Sequence, residues 1–476
     1  MGTFCALLQG VVFFAFFSRN SFWMDEILSL EFIEGGAGAM LEHLAGDVHP
    51  PGFFVALAGW RALVPETEPW LRLLPLGLSL ACLPMLYGLA ARVWGVSAAG
   101  WACLLVSLSP FQAQFAAELR MYTAFEALAL GATGLLLAAV GTASRVRSRW
   151  LIGAYAVVAL AMMYTHYYGV FVLAAHGVGL ALMGRGRQWP MWLVAYGVVA
   201  MGFAPWGWVV FGQLAGGGGE WIESVQTGTS WIFLLHTLYY FHLGEWAPPT
   251  DAFGSLAMLF VVGPVLVAGL WKAANRAWSA SAGRAEPPMV MALVALFPMY
   301  AILTVSFVKP MYMSRYVIPS LPFVFAIAGL AIGTLRRAWW RRTVGGLFCA
   351  ALIYGIFGAA GRAPREDWRA VARYIETAAG QAVPGAMGFY CDDRLTATCT
   401  GYYLERLGPE PGPDVEPLGR GGWTALREGR LAENLVVVLR GGITPLIRRP
   451  AEVLGPYVIV NRMWASGELH VVLLRR

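Results

Sequence analysis

Charge is scarce in this sequence. Its 476 residues hold 28 acids and 34 bases, 13% of the chain, where a soluble domain carries about 25%. So few charges could not cover the surface of a soluble protein of this length. Cysteine is scarce as well: there are six, and none lies in a CxxC metal spacing. Cys5, Cys82, Cys103 and Cys349 fall in apolar runs and read as inert core thiols. Cys391 and Cys399 fall near the C-terminus, where a disulfide and two free thiols are equally open readings. A basic leader and a small-residue cleavage site are both missing around the first apolar run, residues 3–17. That run therefore reads as a retained helix and not a cleaved signal. Basic patches interleaved with aromatics are absent too, so the net charge of +6 points to no nucleic-acid partner. The chain shows no internal repeat and no long low-complexity tract.

What is abundant is apolar sequence, 58% of the chain. A helix crossing a bilayer needs about 20 apolar residues. Eleven runs approach that length: 3–17, 71–92, 98–115, 122–140, 151–164, 167–183, 190–211, 252–271, 289–307, 316–335 and 344–360. Run 51–64 is also apolar, but Arg61 and the Pro-Glu-Thr-Glu that follows make it too short to cross. It reads as a helix along the membrane surface. Between 151 and 183 two spans must share a very tight turn. The expected fold is an α-helical polytopic membrane protein of about eleven transmembrane helices, with surface helices in the first outer loop.

Residues 361–476 differ in composition, with 15 of the 34 bases and 13 of the 28 acids. They suit a separate water-facing domain behind a membrane domain of residues 1–360. A helical pattern at 367–379 and strand-like patterns at 386–390, 434–439, 457–461 and 470–474 make it a small α/β domain. Residues 409–422 are rich in Gly and Pro and read as a loop. With the N-terminus in the cytoplasm, the inner connections hold 13 bases against one acid, Glu286. The outer segments before residue 361 then hold six bases and 14 acids. The positive-inside rule favours this orientation, with the C-terminal domain periplasmic or extracellular and the chain in the inner membrane.

Four outer segments carry chemistry. Asp25 and Glu26 follow the first span, and Asp47-Val48-His49-Pro50-Pro51 follows in the same loop. Adjacent carboxylates at a helix end are expensive in a membrane unless hydrated or paired. One that is partly desolvated can act as a general base, though the pair could equally mark the end of a span. Glu118-Leu119-Arg120-Met121-Tyr122 places an arginine where it can fork onto a phosphate; the plainer reading is a local Glu118–Arg120 contact. His166 lies in an aromatic turn, where an interfacial belt is the alternative. Lys309 and Arg315-Tyr316 run against the positive-inside trend and can grip a lipid phosphate, or simply snorkel. No single segment is specific, but all fall on one expected face.

Taken in order, Asp25-Glu26, His49-Pro50-Pro51, Leu71-Arg72-Leu73-Leu74-Pro75, Ser109-Pro110 and Glu118-Leu119-Arg120-Met121-Tyr122 resemble the bacterial family 39-type glycosyltransferases. These are C-type membrane enzymes related to protein O-mannosyltransferases and lipid A aminoarabinose transferases. The resemblance is strongest over the first 125 residues, and Lys309-Pro310 with Arg315-Tyr316 looks like a later element of it. It implies a polyprenyl-phosphate-linked sugar donor, an exported glycan, lipid or protein acceptor, and single-step transfer with inversion. Asp25 maps onto the base, with Glu26 positioning it. Arg120, Arg315 and Lys309 map onto donor-phosphate binding. His49, Glu118, Tyr122, His166 and Tyr316 fall to substrate positioning. No cofactor is required; His49 and His166 are the candidate ligands should a divalent metal bind, though no spacing compels one. The loop 212–250, with Gly216–Gly219, Glu220 and Trp221, suits a lid. The competing readings are a transporter or flippase of lipid-linked sugars and a non-catalytic membrane scaffold. Few mid-span charges and no repeat argue against transport.

Overall fold

A computed structural model describes residues 2–18, 20–183, 188–217, 222, 229–245, 247–248, 251–279, 287–361, 366–381, 387–407, 413–440, 453–454, 456–466 and 469–476. They form two compact units: Met1–Ser18 with Phe32–Gly361, and Arg19–Glu31 with Arg362–Arg476.

The larger unit is helical. Among the described residues, eight helices are long and apolar enough to cross a membrane: Glu68–Trp94, Tyr122–Gly141, Arg145–Thr165, Trp189–Ala215, Ala252–Ala277, Pro287–Ser306, Ser314–Gly333 and Ala338–Gly361. A ninth forms if Val96–Ser107 and Pro110–Ala116, bent by 62°, make one span. The bend has a local cause. Proline lacks an N–H and pushes the residue before it out of the helical region. Ser109 accordingly sits at φ −66°, ψ 120° and caps the next helix by accepting the Gln112 N–H. The other two runs expected as spans are helical but short, Gly2–Phe17 and Gly169–Leu182. The count of eleven is thus eight or nine among the described residues. In the expected span 167–183, Tyr167 and Tyr168 are spent on the turn.

Leu321–Gly333 is the axis of this bundle, and Leu321 to Ile332 are all buried. Its small residues permit close packing. A Cβ on Gly329 would lie 2.5 Å from the Ala98 carbonyl oxygen of Val96–Ser107. Polar groups inside the bundle are chained together. Gln9 and Gln112 both donate to Ser79 Oγ at 2.7 Å, and Gln112 also donates to Glu126 at 2.7 Å. Glu126 itself is fully buried.

Between Gly2–Phe17 and Glu68–Trp94 lie Gly36–Ala45 and Gly52–Arg61, the latter where a surface helix was expected. Within residues 212–250 lies the apolar helix Ile232–Leu243. Gly218, Gly219, Glu220 and Trp221, also named for the lid, lie outside the described residues.

The smaller unit holds a five-stranded sheet of β1 Met387–Cys391, β2 Glu416–Pro417, β3 Asn434–Arg440, β4 Val458–Ser466 and β5 Leu469–Arg475. The order is β2-β1-β3-β5-β4. The β1 pairings to β2 and β3 are parallel, and those of β5 to β3 and β4 are antiparallel. Five consecutive β3 residues, Leu435–Leu439, are buried, as suits a central strand covered on both faces. Leu426, Leu454 and Tyr457 pack with Leu435, Val437, Val472 and Leu474. Helix Trp368–Gln381 was expected, but Arg394–Leu407 and Gly419–Arg427 were not. Cys391 and Cys399 are buried free thiols. Burial raises both, Cys391 to about 12.

Candidate functional site

In the larger unit the site grows from two prolines. Pro50 and Pro51 follow the turn at Asp47, and Gly52 starts helix Gly52–Arg61. Gly52 lies hard against the end of Arg145–Thr165: a Cβ there would come within 2.6 Å of the Tyr164 carbonyl oxygen. This approach sets His49 and His166 on one cavity of about 540 Å³. Lys309 and Tyr316 share its wall, and most of the remaining lining is aromatic or aliphatic. Gly52→Ala is therefore expected to lower stability by about 1–3 kcal/mol through overpacking, read as a lower thermal midpoint in detergent.

His49 is held at both nitrogens. Arg120 Nη2 lies 2.7 Å from Nε2, and Asp47 Oδ2 lies 3.3 Å from Nδ1. Arginine can only donate, so Nε2 accepts and the proton sits on Nδ1, facing Asp47. Burial opposes the Asp47 charge, but His49, the Val48 N–H and Arg120 outweigh it and hold the carboxyl below its ordinary value. The His166 ring stacks on Phe125 at 4.8 Å and 6°. Its Nδ1 accepts the Tyr168 N–H at 3.2 Å. Burial first, then the nearby His49 and Arg120, lowers His166 from 6.5 to about 3.

This histidine is uncharged in the fold and protonates below pH 6.5 once unfolded, so its contribution is full above pH 6.5 and erodes as pH falls towards 3. Going from pH 7 to pH 5 should remove about 2 kcal/mol. Asp47 adds to the acid loss only below its ordinary range. Thermal midpoints across this window should fall in the wild type and stay flatter in His166→Gln.

Lys309 is fixed through its neighbours. Tyr168 donates to the Met311 carbonyl at 2.5 Å, tying the His166 turn to the Lys309 segment. Arg315 is placed differently: its Nε lies 3.1 Å from Glu245 Oε1, with both side chains 5% exposed. Glu118 and Arg120 are both buried in the short turn before Tyr122–Gly141. Tyr122, the first residue of that helix, packs on Phe115 at 4.9 Å and on His166 at 6.3 Å. The structure thus gathers His49, His166, Lys309 and Tyr316 on one wall, with Arg120 joined to it through His49. Glu245 received no role from sequence reasoning. Its signal was weak, a single acid after Gly244 in a loop. Gly244 has φ 86°, and the Glu245 N–H donates to Gln114 Oε1 at 2.8 Å.

Among the described residues no three His, Cys, Asp or Glu side chains form a metal-binding group. His49 offers its Nε2 lone pair to Arg120, which leaves it poorly suited to ligate a cation.

Asp25 and Glu26 belong to the smaller unit, in the first turn of helix Met24–Phe32. Glu26 is buried, and its Oε2 accepts the Trp23 N–H at 3.2 Å. The Asp25 carbonyl accepts from Ser29 Oγ at 2.7 Å. Residues 362–476 hold the segment that leads into this helix. Ser21 Oγ donates to the Glu366 carbonyl, the Phe22 N–H to Tyr403 Oη, and the Met24 N–H to Glu366 Oε2, at 2.7–2.8 Å.

No protein-family model matches the sequence, and no curated protein does. Solved structures do match. ArnT from Cupriavidus metallidurans, solved in the apo state and bound to undecaprenyl phosphate, superposes with a TM-score of 0.61. The alignment covers 99% of this chain and 97% of that one at 14% identity. The chain has the fold of ArnT. The oligosaccharyltransferase AglB from Archaeoglobus fulgidus, solved with an inhibitory peptide and a dolichol-phosphate, is also similar. Its TM-score is 0.55 at 12% identity, covering 92% of this chain and 68% of AglB. The family resemblance read from the motifs and the fold similarity point the same way.

Proposed function

We propose that the chain is a membrane glycosyltransferase that moves a sugar from a polyprenyl-phosphate donor to an exported acceptor. The observation that carries this reading is the apolar cavity with Lys309, His49, His166 and Tyr316 on its wall, in a fold whose relative was solved with undecaprenyl phosphate. An apolar wall suits the isoprenoid, and a lysine suits its phosphate.

In this reading the acceptor oxygen attacks the anomeric carbon with inversion, and Asp25 takes its proton. The bond from the anomeric carbon to the phosphate oxygen breaks, and polyprenyl phosphate leaves with the electron pair. Charge on the phosphate grows from one to two. A cation fixed in an apolar wall stabilises that growth more than it stabilises the donor. Lys309 takes this role directly and Arg120 through the His49 contact, while Glu245 offsets the charge of Arg315. His49, His166, Glu118, Tyr122 and Tyr316 shape the site. The phosphate charge is met by these side chains without a divalent metal, so chelation with EDTA should leave the rate unchanged. The bias of basic residues favours an N-terminus in the cytoplasm and residues 361–476 in the periplasm or outside the cell.

Undecaprenyl phosphate added to the purified protein tests the cavity. The lipid should raise the thermal midpoint, and Lys309→Ala should weaken that rise. A midpoint indifferent to the lipid in the wild type would remove the support for this reading.

A further inference from the structure

Three side chains from residues 362–476 meet at the entrance to the helix that carries Asp25. Glu366 is 7% exposed and uses both carboxylate oxygens. Oε2 accepts the Met24 N–H at 2.8 Å and the Trp368 indole N–H at 2.9 Å. Oε1 faces Arg440 Nε at 2.6 Å. Arg440 ends β3, a central strand, and its own N–H donates to Asp392 Oδ2 at 2.6 Å. The third, Tyr403, accepts the Phe22 N–H. An anchored arginine therefore fixes Glu366, and Glu366 fixes the backbone one residue before Asp25.

The same arginine feels Asp25. Burial works against the Arg440 charge, yet Glu366 above all, with Cys399 and Asp25, holds the guanidinium above its ordinary value. Arg440 thus has a tight carboxylate partner and a second carboxylate within electrostatic reach. Asp392 accepts the Arg440 N–H, and Cys399, which Glu31 and Asp393 also reach electrostatically, acts on the same guanidinium.

We propose that Glu366 and Arg440 are positioning residues for Asp25. Glu366 fixes the helix start through the Met24 N–H and engages Arg440. This rests on the reading of Asp25 as the base. It gives the C-terminal region a part in the reaction.

The two halves of the pair make opposite predictions. Glu366→Gln keeps a hydrogen-bond acceptor for Met24 but releases Arg440 towards Asp25. The acid limb of the pH–rate profile should then move down by about half a unit, because a nearby cation favours the carboxylate. Arg440→Gln leaves Glu366 uncompensated near Asp25 and should move the limb up by a similar amount. In both, kcat should fall about tenfold with the donor KM unchanged, and Arg440→Lys should restore most of the profile.

The proposal is overturned if both limbs stay where they are, or if both move the same way, whatever happens to kcat. A fall in kcat with an unmoved profile means that the contact is structural only. If Glu366→Gln fails to fold, the Arg440→Gln and Arg440→Lys pair decides alone. Asp25→Asn is the control. Should it keep wild-type activity, the base reading fails. Should it be inactive while the other variants match wild type, only the positioning role fails.

Discussion

Asp25→Asn is expected to lower the rate of sugar transfer by about 10²- to 10⁴-fold, the range that a lost general base costs. The substitution keeps the shape of the side chain and leaves its backbone contact to Ser29 in place. Losing one negative charge in the first helical turn costs about 0.3–1 kcal/mol, too little to unfold the region. The loss should therefore appear in kcat, with donor affinity unchanged. Asp25→Glu, which moves the carboxylate by one methylene, should recover part of the rate. A thermal midpoint measured beside the kinetics separates lost chemistry from lost fold. An equal fall in rate and midpoint would assign Asp25 a structural part.

The second large effect is expected at Glu245. Its pair with Arg315 is nearly sealed from solvent. Removing one member of a buried pair costs about 3–5 kcal/mol, because the remaining charge loses its compensation where solvent cannot reach it. Glu245→Gln should lower the thermal midpoint markedly, whereas the double variant Glu245→Gln with Arg315→Met should recover much of that loss. A double-mutant cycle measures the coupling. If Glu245→Gln instead leaves stability intact and strengthens binding of polyprenyl phosphate, Arg315 is a phosphate ligand that Glu245 restrains.

Much of the architecture was legible because membrane helices announce themselves by length and composition. Every run expected to span is helical along most of its length, and the strands at 386–390 and 434–439 lie within one residue of their expected positions. The number of crossings was less legible. The break at Ser109-Pro110 and the turn at His166–Tyr168 shorten runs whose hydropathy continues across them. Helix Ile232–Leu243 escaped notice because its twelve residues, two of them histidines, fall below the length of a span. Within the site, the motifs singled out His49, His166, Lys309 and Tyr316 one by one. Their shared wall follows from the close approach at Gly52, which only coordinates reveal. Glu245 and Glu366 had no such signal. Each acts through a partner 70 or 74 residues away in the chain, and nothing in local sequence records such pairings.

The central claim, that the chain binds and cleaves a polyprenyl-phosphate sugar, is tested most directly by its co-purifying lipids. The wild type and Asp25→Asn would be purified in mild detergent and their bound lipids weighed by mass spectrometry. The account predicts bare polyprenyl phosphate, the spent donor, in the wild type. It predicts an intact polyprenyl-phosphate sugar enriched in Asp25→Asn, whose mass would name the sugar. The account is contradicted if neither preparation carries such a lipid and added donors are neither bound nor cleaved.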